Sequence, residues 1–295
     1  MIWLSEFLFF KEKGETKMKK LIAIVLSLVL VFSLAACGGE DTKTAFKIAV
    51  PNDSTNEARA LALLEAQGVI KLNDTGDVLA TVRDIAENPY NIEFLEVEAA
   101  QIPSVLQDVT YAVINSNYAI EAGLTPFTTE GTDVSYPNVI CVKEDNVNAD
   151  ATKALVAAIN SEKVEAYIND TYKGAIVCDL ANVTDGTDAS VDYAALAGTT
   201  ISIAASPTPH CGILAVAKEV LAEKDITLDI IEYTDYVQPN LVVESGEVYA
   251  NFFAHVPYQE DFNAENGTHI AWVLEVHHEP MGVYSASYNN WDALK

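Results

Sequence analysis

Apolar and polar positions divide this chain into three regimes. Leu21–Leu34 is an unbroken run without charge. From Phe46 onward, short apolar runs alternate with stretches of helical period. Between 179 and 199 the periodicity fades into Asp, Thr, Ala and Gly, a linker composition. Phe46–Val50 reads as a strand ending in Pro51-Asn52-Asp53. Ser54 or Thr55 then caps a helix running through Arg59, Leu61 and Leu64 to Gln67, closed by Gly68. Residues 78–87 read as a second helix, Ile92–Val97 as a half-buried strand, Ile102–Leu106 as helical, and Ala112–Ile114 as a buried strand ending at Asn115. After a Thr, Gly and Pro-rich loop at 123–136 come a strand at Asn138–Val142 and one long helix over 149–171.

A second series opens at Thr200–Ala204. It predicts helices at 211–224, from Pro239, and at 257–265. Strands are expected at Leu228–Glu232, Tyr249–Phe253, His269–Leu274 and Gly282–Ser285. Strands alternating with helices imply an α/β fold with a mostly parallel sheet covered on both faces.

The first regime has a targeting meaning. Lys19 and Lys20 follow Met18, then the apolar run, then Ala35, Ala36 and Cys37. Basic start, short apolar core and small residues before a cut are the layout of a secretory signal. A cysteine directly after Leu34-Ala35-Ala36 is the lipobox pattern, in which the thiol takes a lipid and the chain is cut just before it. An uncleaved transmembrane helix needs about 20 apolar residues, more than this run supplies. Residues 1–36 are therefore expected to be the signal peptide, with Met18 the true start, and 37–45 the lipidated Cys37 and its flexible polar tether. Such an anchor holds a protein on the outer face of the cell membrane without spanning it.

Charge narrows the partners. The leader holds five lysines and three glutamates, so the chain's 17 basic and 43 acidic residues leave 12 and 40 beyond it, a net of −28. Nucleic acid and a bare anionic membrane surface are repelled by such a charge. Cys141, Cys178 and Cys211 form no metal spacing, and an odd count leaves at least one thiol unpaired. Cys141, inside Val139-Ile140-Cys141-Val142, reads as a small buried hydrophobe. There is no G-x-S-x-G, H-E-x-x-H or phosphate loop, so no enzyme is expected.

Four segments carry a resemblance: Thr234–Asn240 (TDYVQPN), Ala250–Tyr258 (ANFFAHVPY), Pro51–Ala60 (PNDSTNEARA) and Ala112–Tyr118 (AVINSNY). Glu279–Tyr284 (EPMGVY) and Tyr136–Ile140 (YPNVI) support them. Together they resemble the methionine-binding lipoprotein family of ABC importers, over nearly all of 46–295. The resemblance implies a two-lobed periplasmic-binding-protein-like (type II) fold with a hinge, and a monomer that needs no cofactor. It implies L-methionine or a related amino acid as ligand, and an ABC permease with its ATPase as partner. In the family, the segment resembling 199–295 comes first. The order here is thus that of a circular permutation, with 179–199 joining the ancestral ends. The expected division is one lobe at 46–120, a hinge loop at 121–134 and a second lobe at 135–295.

The resemblance also implies the site. Arg59, near a helix start, would grip the ligand carboxylate, as a guanidinium does with two parallel hydrogen bonds. By itself, Arg59 also reads as a surface residue of an amphipathic helix. Asn115 and Asn138, at strand ends, would contact the ligand's polar groups; by themselves they read as turn-forming residues. Tyr236, Phe253, His255 and Tyr258 would wall the thioether, where sulfur packs on ring edges; by themselves they read as core. Two other readings compete. One is a zinc-binding lipoprotein, because all five histidines fall between 210 and 278 and His277-His278-Glu279 is dense. Adjacent residues of a strand face opposite ways, however, so His277 and His278 are not expected to share an ion. The other is a permuted relic that binds ligand without supporting transport. Cys211 is expected near the ligand or the lobe interface.

Overall fold

The computed structural model describes residues 46–74, 79–131 and 136–294. The signal segment, Cys37 and the tether at 37–45 lie outside the described residues.

Strand β1 (Lys47–Pro51) is buried from Ile48 to Pro51. It feeds helix α1 (Ser54–Ala66), whose first turn is closed by Asp53 accepting from the amide of Asn56 at 2.9 Å. The helix expected at 78–87 is different in its described part. Thr81 and Asp84 cap one another around a single turn at Val82–Asp84, and β3 (Ile85–Glu87) then pairs back on β2 (Lys71–Leu72). The reciprocal cap closes the turn early, and β-branched Ile85 continues extended. Next come β4 (Glu93–Val97), short α2 (Ile102–Val105), β5 (Tyr111–Ile114), α3 (Ser116–Glu121) and β6 (Thr128–Thr129).

The chain then crosses to a second sheet with β7 (Pro137–Lys143). The single helix expected at 149–171 is two, α4 (Asp150–Ile159) and α5 (Glu162–Tyr172). Ser161 breaks it, because its hydroxyl caps α5 by accepting from Val164. After β8 (Val177–Cys178), residues 179–199 hold only the short α6 (Tyr193–Leu196). The second series is β9 (Thr200–Ala205), α7 (Gly212–Ala222), β10 (Thr227–Glu232), α8 (Gln238–Ser245), β11 (Ala250–His255), α9 (Val256–Asn266), β12 (Ile270–His278) and β13 (Gly282–Tyr284).

The first sheet runs β4-β1-β5-β13-β6, and the second β10-β9-β11-β7-β12-β8. Both follow one plan. Each lobe's first strand is flanked by its second and third, parallel to it. A strand arriving from the other lobe is then inserted antiparallel: β13 beside β5, and β7 beside β11. The second sheet is thus mixed, since β7, β12 and β8 pair antiparallel. This corrects the expected second lobe of 135–295. Val283 and Gly282 pair with Val113 and Ile114, so the last strand belongs to the first lobe. Gly282 is needed there, because an added Cβ would lie 2.8 Å from Pro126 and 2.9 Å from the Tyr284 ring.

Each lobe has its own core. Ile48, Leu61, Leu64, Tyr111 and Val283 fill the first, with Phe46, Trp291 and Leu294 in the same cluster. Ile140, Leu155, Ile159, Ile203, Leu214 and Phe252 fill the second. No described helix is long and apolar enough to cross a membrane.

Candidate functional site

A small cavity lies between the lobes. Arg59, Asn115, Asn138, Tyr236, Phe253, His255 and Tyr258, the seven residues singled out in the sequence, all line it. Asn56, Ser116, Asn117, Ala254 and Glu279 complete the wall.

Arg59 enters from the second turn of α1 and is buried. Its Nε donates to one oxygen of Glu130 at 2.8 Å and its Nη2 to the other at 2.6 Å. Nη2 also donates to the backbone carbonyl of Glu279 at 2.7 Å, and the guanidinium lies 4.2 Å from the Tyr136 ring centroid. Glu130 in turn accepts from the amide of Met281 at 2.7 Å. These contacts use Nε and Nη2, so Nη1 is the edge of the guanidinium left outside them.

A ladder of amides crosses from one lobe to the other. Asn56 anchors its amide nitrogen on Asp53, and its side-chain oxygen accepts from Asn115 at 2.8 Å and from His255 Nε2 at 3.2 Å. His255 Nδ1 accepts from the amide of Tyr258, capping α9, which fixes the proton on Nε2. Tyr236 donates to the Asn117 side chain, and Tyr258 donates to the Tyr236 carbonyl, both at 2.7 Å. Tyr118 donates to Thr234 at 3.1 Å, and Ser54 bonds Asp261 across the same gap. The rings of Tyr236, Phe253 and Tyr258 meet pairwise with centroids 5.9 Å apart.

β7 carries Asn138 between His255 of β11 and His277 of β12. Strand alternation separates the two adjacent histidines as expected. His277 is buried, whereas His278 is partly exposed and its Nδ1 bonds Asp179 at 2.8 Å. His210 joins His277 instead. One donor atom from each of His210, His277 and Glu279 lies within 4.8 Å of the others. His277 Nε2 donates to Glu279 at 2.9 Å, and His210 Nε2 bonds the Asn138 side-chain oxygen at 2.9 Å. Burial holds His210, His255 and His277 neutral, each with its pKa pushed down to about 3. The Glu279 carboxyl is pushed up by the same burial.

Sequence reasoning missed Glu130 and the meeting of His210 with His277; His277 and Glu279 entered it only through the competing zinc reading. Glu279 stood in a segment already quoted, Glu279–Tyr284, but not among the residues expected to line the cavity. Nothing local marks Glu130 in its loop. Cys211 is not among the lining residues; it packs on the second lobe's core, and burial pushes its thiol up to about 12.

The D-methionine-binding lipoprotein MetQ of Escherichia coli O157:H7 is 42% identical over 137 residues, 44% of this chain and 51% of the relative. Outer membrane lipoprotein 3 of Mannheimia haemolytica is 44% identical over 134 residues, again 44% of this chain and 51% of the relative. A nutrient binding protein from Burkholderia cenocepacia, solved bound to methionine, is 45% identical with a TM-score of 0.43, covering 46% of this chain and 59% of that one. The chain thus spans about half the length of the curated relatives it matches. The sequence profile of the NlpA lipoproteins matches residues 6–179 and 201–295, nearly all of it. With two α/β lobes closing on one polar and aromatic cavity, the chain belongs to the NlpA lipoprotein family.

Proposed function

We propose that this protein is a non-enzymatic substrate-binding protein, held by lipid on Cys37 at the outer face of the cell membrane, that delivers methionine or a close amino-acid analogue to an ABC importer. The observation that carries the reading is the wall of the inter-lobe cavity. One side presents a buried guanidinium and side-chain amides, suited to the charged end of an amino acid. The other presents three packed aromatic rings, suited to a thioether. In this reading Arg59 Nη1 faces the carboxylate, and Asn115 and Asn138 bind the polar end. Tyr236, Phe253, His255 and Tyr258 enclose the side chain. Lobe closure would hide the ligand and create the surface a permease docks on.

The order of the halves is part of the proposal. Each half supplies four strands to the sheet of its own lobe and then an inserted strand to the other, β1-β4-β5-β6 followed by β7 and β9-β10-β11-β12 followed by β13, with the two-residue β8 added by the first half at the edge of the second sheet. The plan is cyclic, so either half can come first without changing a single strand pairing. The family match leaves out 180–200, which supports a join there between ancestral ends. Phe46 shares a core with Trp291 and Leu294, as a cut in a once continuous lobe requires.

Calorimetry on the full chain in detergent tests the function. L-methionine is expected to bind with micromolar or tighter affinity, and Arg59→Ala to remove most of it. No heat with any amino acid or short methionyl peptide would overturn the reading. Growth on limiting methionine, with the gene deleted and restored, separates a working importer component from a relic that only binds.

A further inference from the structure

Three buried side chains with metal-ligating chemistry meet at the edge of the cavity. His277 lies near the end of β12, and Glu279 follows two residues later in the crossing to β13. Alternate residues of an extended chain face the same way, so both side chains reach one spot. His278 between them turns away to Asp179. His210 arrives from the turn at Pro207–Cys211, between β9 and α7. One donor atom from each of the three lies within 4.8 Å of the others. His277 Nε2 stands 2.9 Å from Glu279 Oε1, and His210 Nε2 stands 3.9 Å from the same oxygen. Ligand atoms of a tetrahedral zinc, each about 2.0–2.1 Å from the ion, stand about 3.3 Å apart, a spacing between these two.

A completed hydrogen-bond network would account for such a cluster without a metal, but this network is incomplete. Its side-chain bonds are His277 to Glu279 and His210 to the Asn138 oxygen. His277 Nδ1 is buried with no hydrogen-bond partner among the described residues. Buried polar atoms are seldom left in that state. The three residues are at most 6% exposed, and Phe252 packs against both imidazoles. Burial keeps both rings neutral, the form that binds a metal. Burial also favours a proton on Glu279, and a divalent ion takes that proton's place. The charge of Arg59 is offset by Glu130. The Thr208 carbonyl bonds His210, the kind of outer partner that orients a metal-bound imidazole.

We propose that His210, His277 and Glu279 bind a divalent zinc ion, with the Asn138 side-chain oxygen in reach as a fourth donor. Two imidazoles and one carboxylate are a zinc donor set. The strongly acidic chain raises the local concentration of cations. The hydrogen bonds described above belong to the metal-free form, and the ion replaces both. Glu279 lies in the crossing that also holds Arg59 and Glu130, so a bound ion ties this crossing to the second lobe through His210 and His277. The proposal does not depend on the amino-acid reading.

The test strips the full chain in detergent with a chelator and titrates it with zinc chloride against a chromogenic chelator, with no amino acid present. Wild type is expected to take up one zinc per chain. Outer partners alone are worth about 10–100-fold in metal affinity, so His210→Gln and Glu279→Gln should each lose at least about 100-fold. His278→Gln and His269→Gln, at histidines that pair with other carboxylates, should keep the zinc. Wild type that binds no zinc would overturn the proposal. So would uptake unchanged in both cluster variants, or uptake lost in His278→Gln or His269→Gln. If the cluster variants do not fold, X-ray absorption at the zinc edge of loaded wild type decides. Two imidazoles around the ion support the site, and fewer than two overturn it.

Discussion

Arg59 and Glu130, 71 residues apart, meet through two parallel hydrogen bonds of 2.8 and 2.6 Å in a buried setting. The pair joins three segments. Arg59 rises from α1, Glu130 lies where the chain leaves the first lobe, and both reach the β12–β13 crossing through the Glu279 carbonyl and the Met281 amide. The guanidinium therefore holds both inter-lobe crossings together besides facing the cavity.

This double duty makes a sharp prediction for variants. Glu130→Gln leaves a buried guanidinium without its counter-charge and is expected to cost about 3–5 kcal/mol. Replacing both partners by apolar residues, Arg59→Met with Glu130→Leu, should recover most of that loss. Ligand binding should remain absent in the double variant. Urea unfolding and calorimetry on the four proteins of the cycle check this, and a double variant as unstable as the single one would refute it.

Much of this was legible in the sequence, and the limits have physical causes. The alternation of strands and helices gave the α/β class, and the quoted segments held all seven expected cavity residues. Local signals failed where local structure was decided elsewhere. Ser161 reads as a tolerable helix residue until its hydroxyl is seen closing a new first turn. The Gly282–Tyr284 strand was found, but its assignment to the first lobe depends on pairing with β5, some 170 residues earlier in the chain. Glu130 could not be found at all, because a buried ion pair leaves no mark on the residues around either partner. The His277-His278 doublet was read correctly as facing opposite ways, but nothing local named the partner of His277, which is His210, brought in by the turn between β9 and α7.

The anchor predicted at Cys37 can be checked directly. Cells fed labelled palmitate should incorporate it into the wild-type protein and not into Cys37→Ser, which should be released or retained uncleaved. Equal labelling of the two proteins would remove the lipobox assignment.

His255 links a helix cap to the lobe interface, and the two roles can be separated. His255→Ala removes the side-chain acceptor for the Tyr258 amide, a cap worth about 1 kcal/mol, and the bond from Nε2 to Asn56. His255→Asn restores a capping oxygen but cannot reach Asn56 in the same way. The expected outcome is that Asn recovers most of the stability lost in the Ala variant while ligand affinity stays reduced about tenfold. Thermal unfolding read beside calorimetry distinguishes this from a purely structural role, in which both quantities would recover together.

The buried histidines set the response to acid. His210, His255 and His277 have folded pKa values near 3, against 6.5 for an ordinary histidine. Between these values the unfolded chain binds protons that the folded chain refuses. Their contribution to stability is therefore complete above about pH 6.5 and is lost as pH falls toward 3. Each histidine contributes a slope of up to about 1.4 kcal/mol per pH unit in that window. Glu279, whose carboxyl is raised by burial, acts the other way: the folded state holds its proton more firmly, and that stabilisation fades as pH rises. A single variant isolates the histidine effect. His210→Gln keeps a donor for Asn138 but cannot titrate, so its stability should fall less steeply between pH 6 and 5, by about 1 kcal/mol per unit relative to wild type. Urea midpoints across that range measure the two slopes. Parallel slopes would mean that His210 is already protonated in the folded protein.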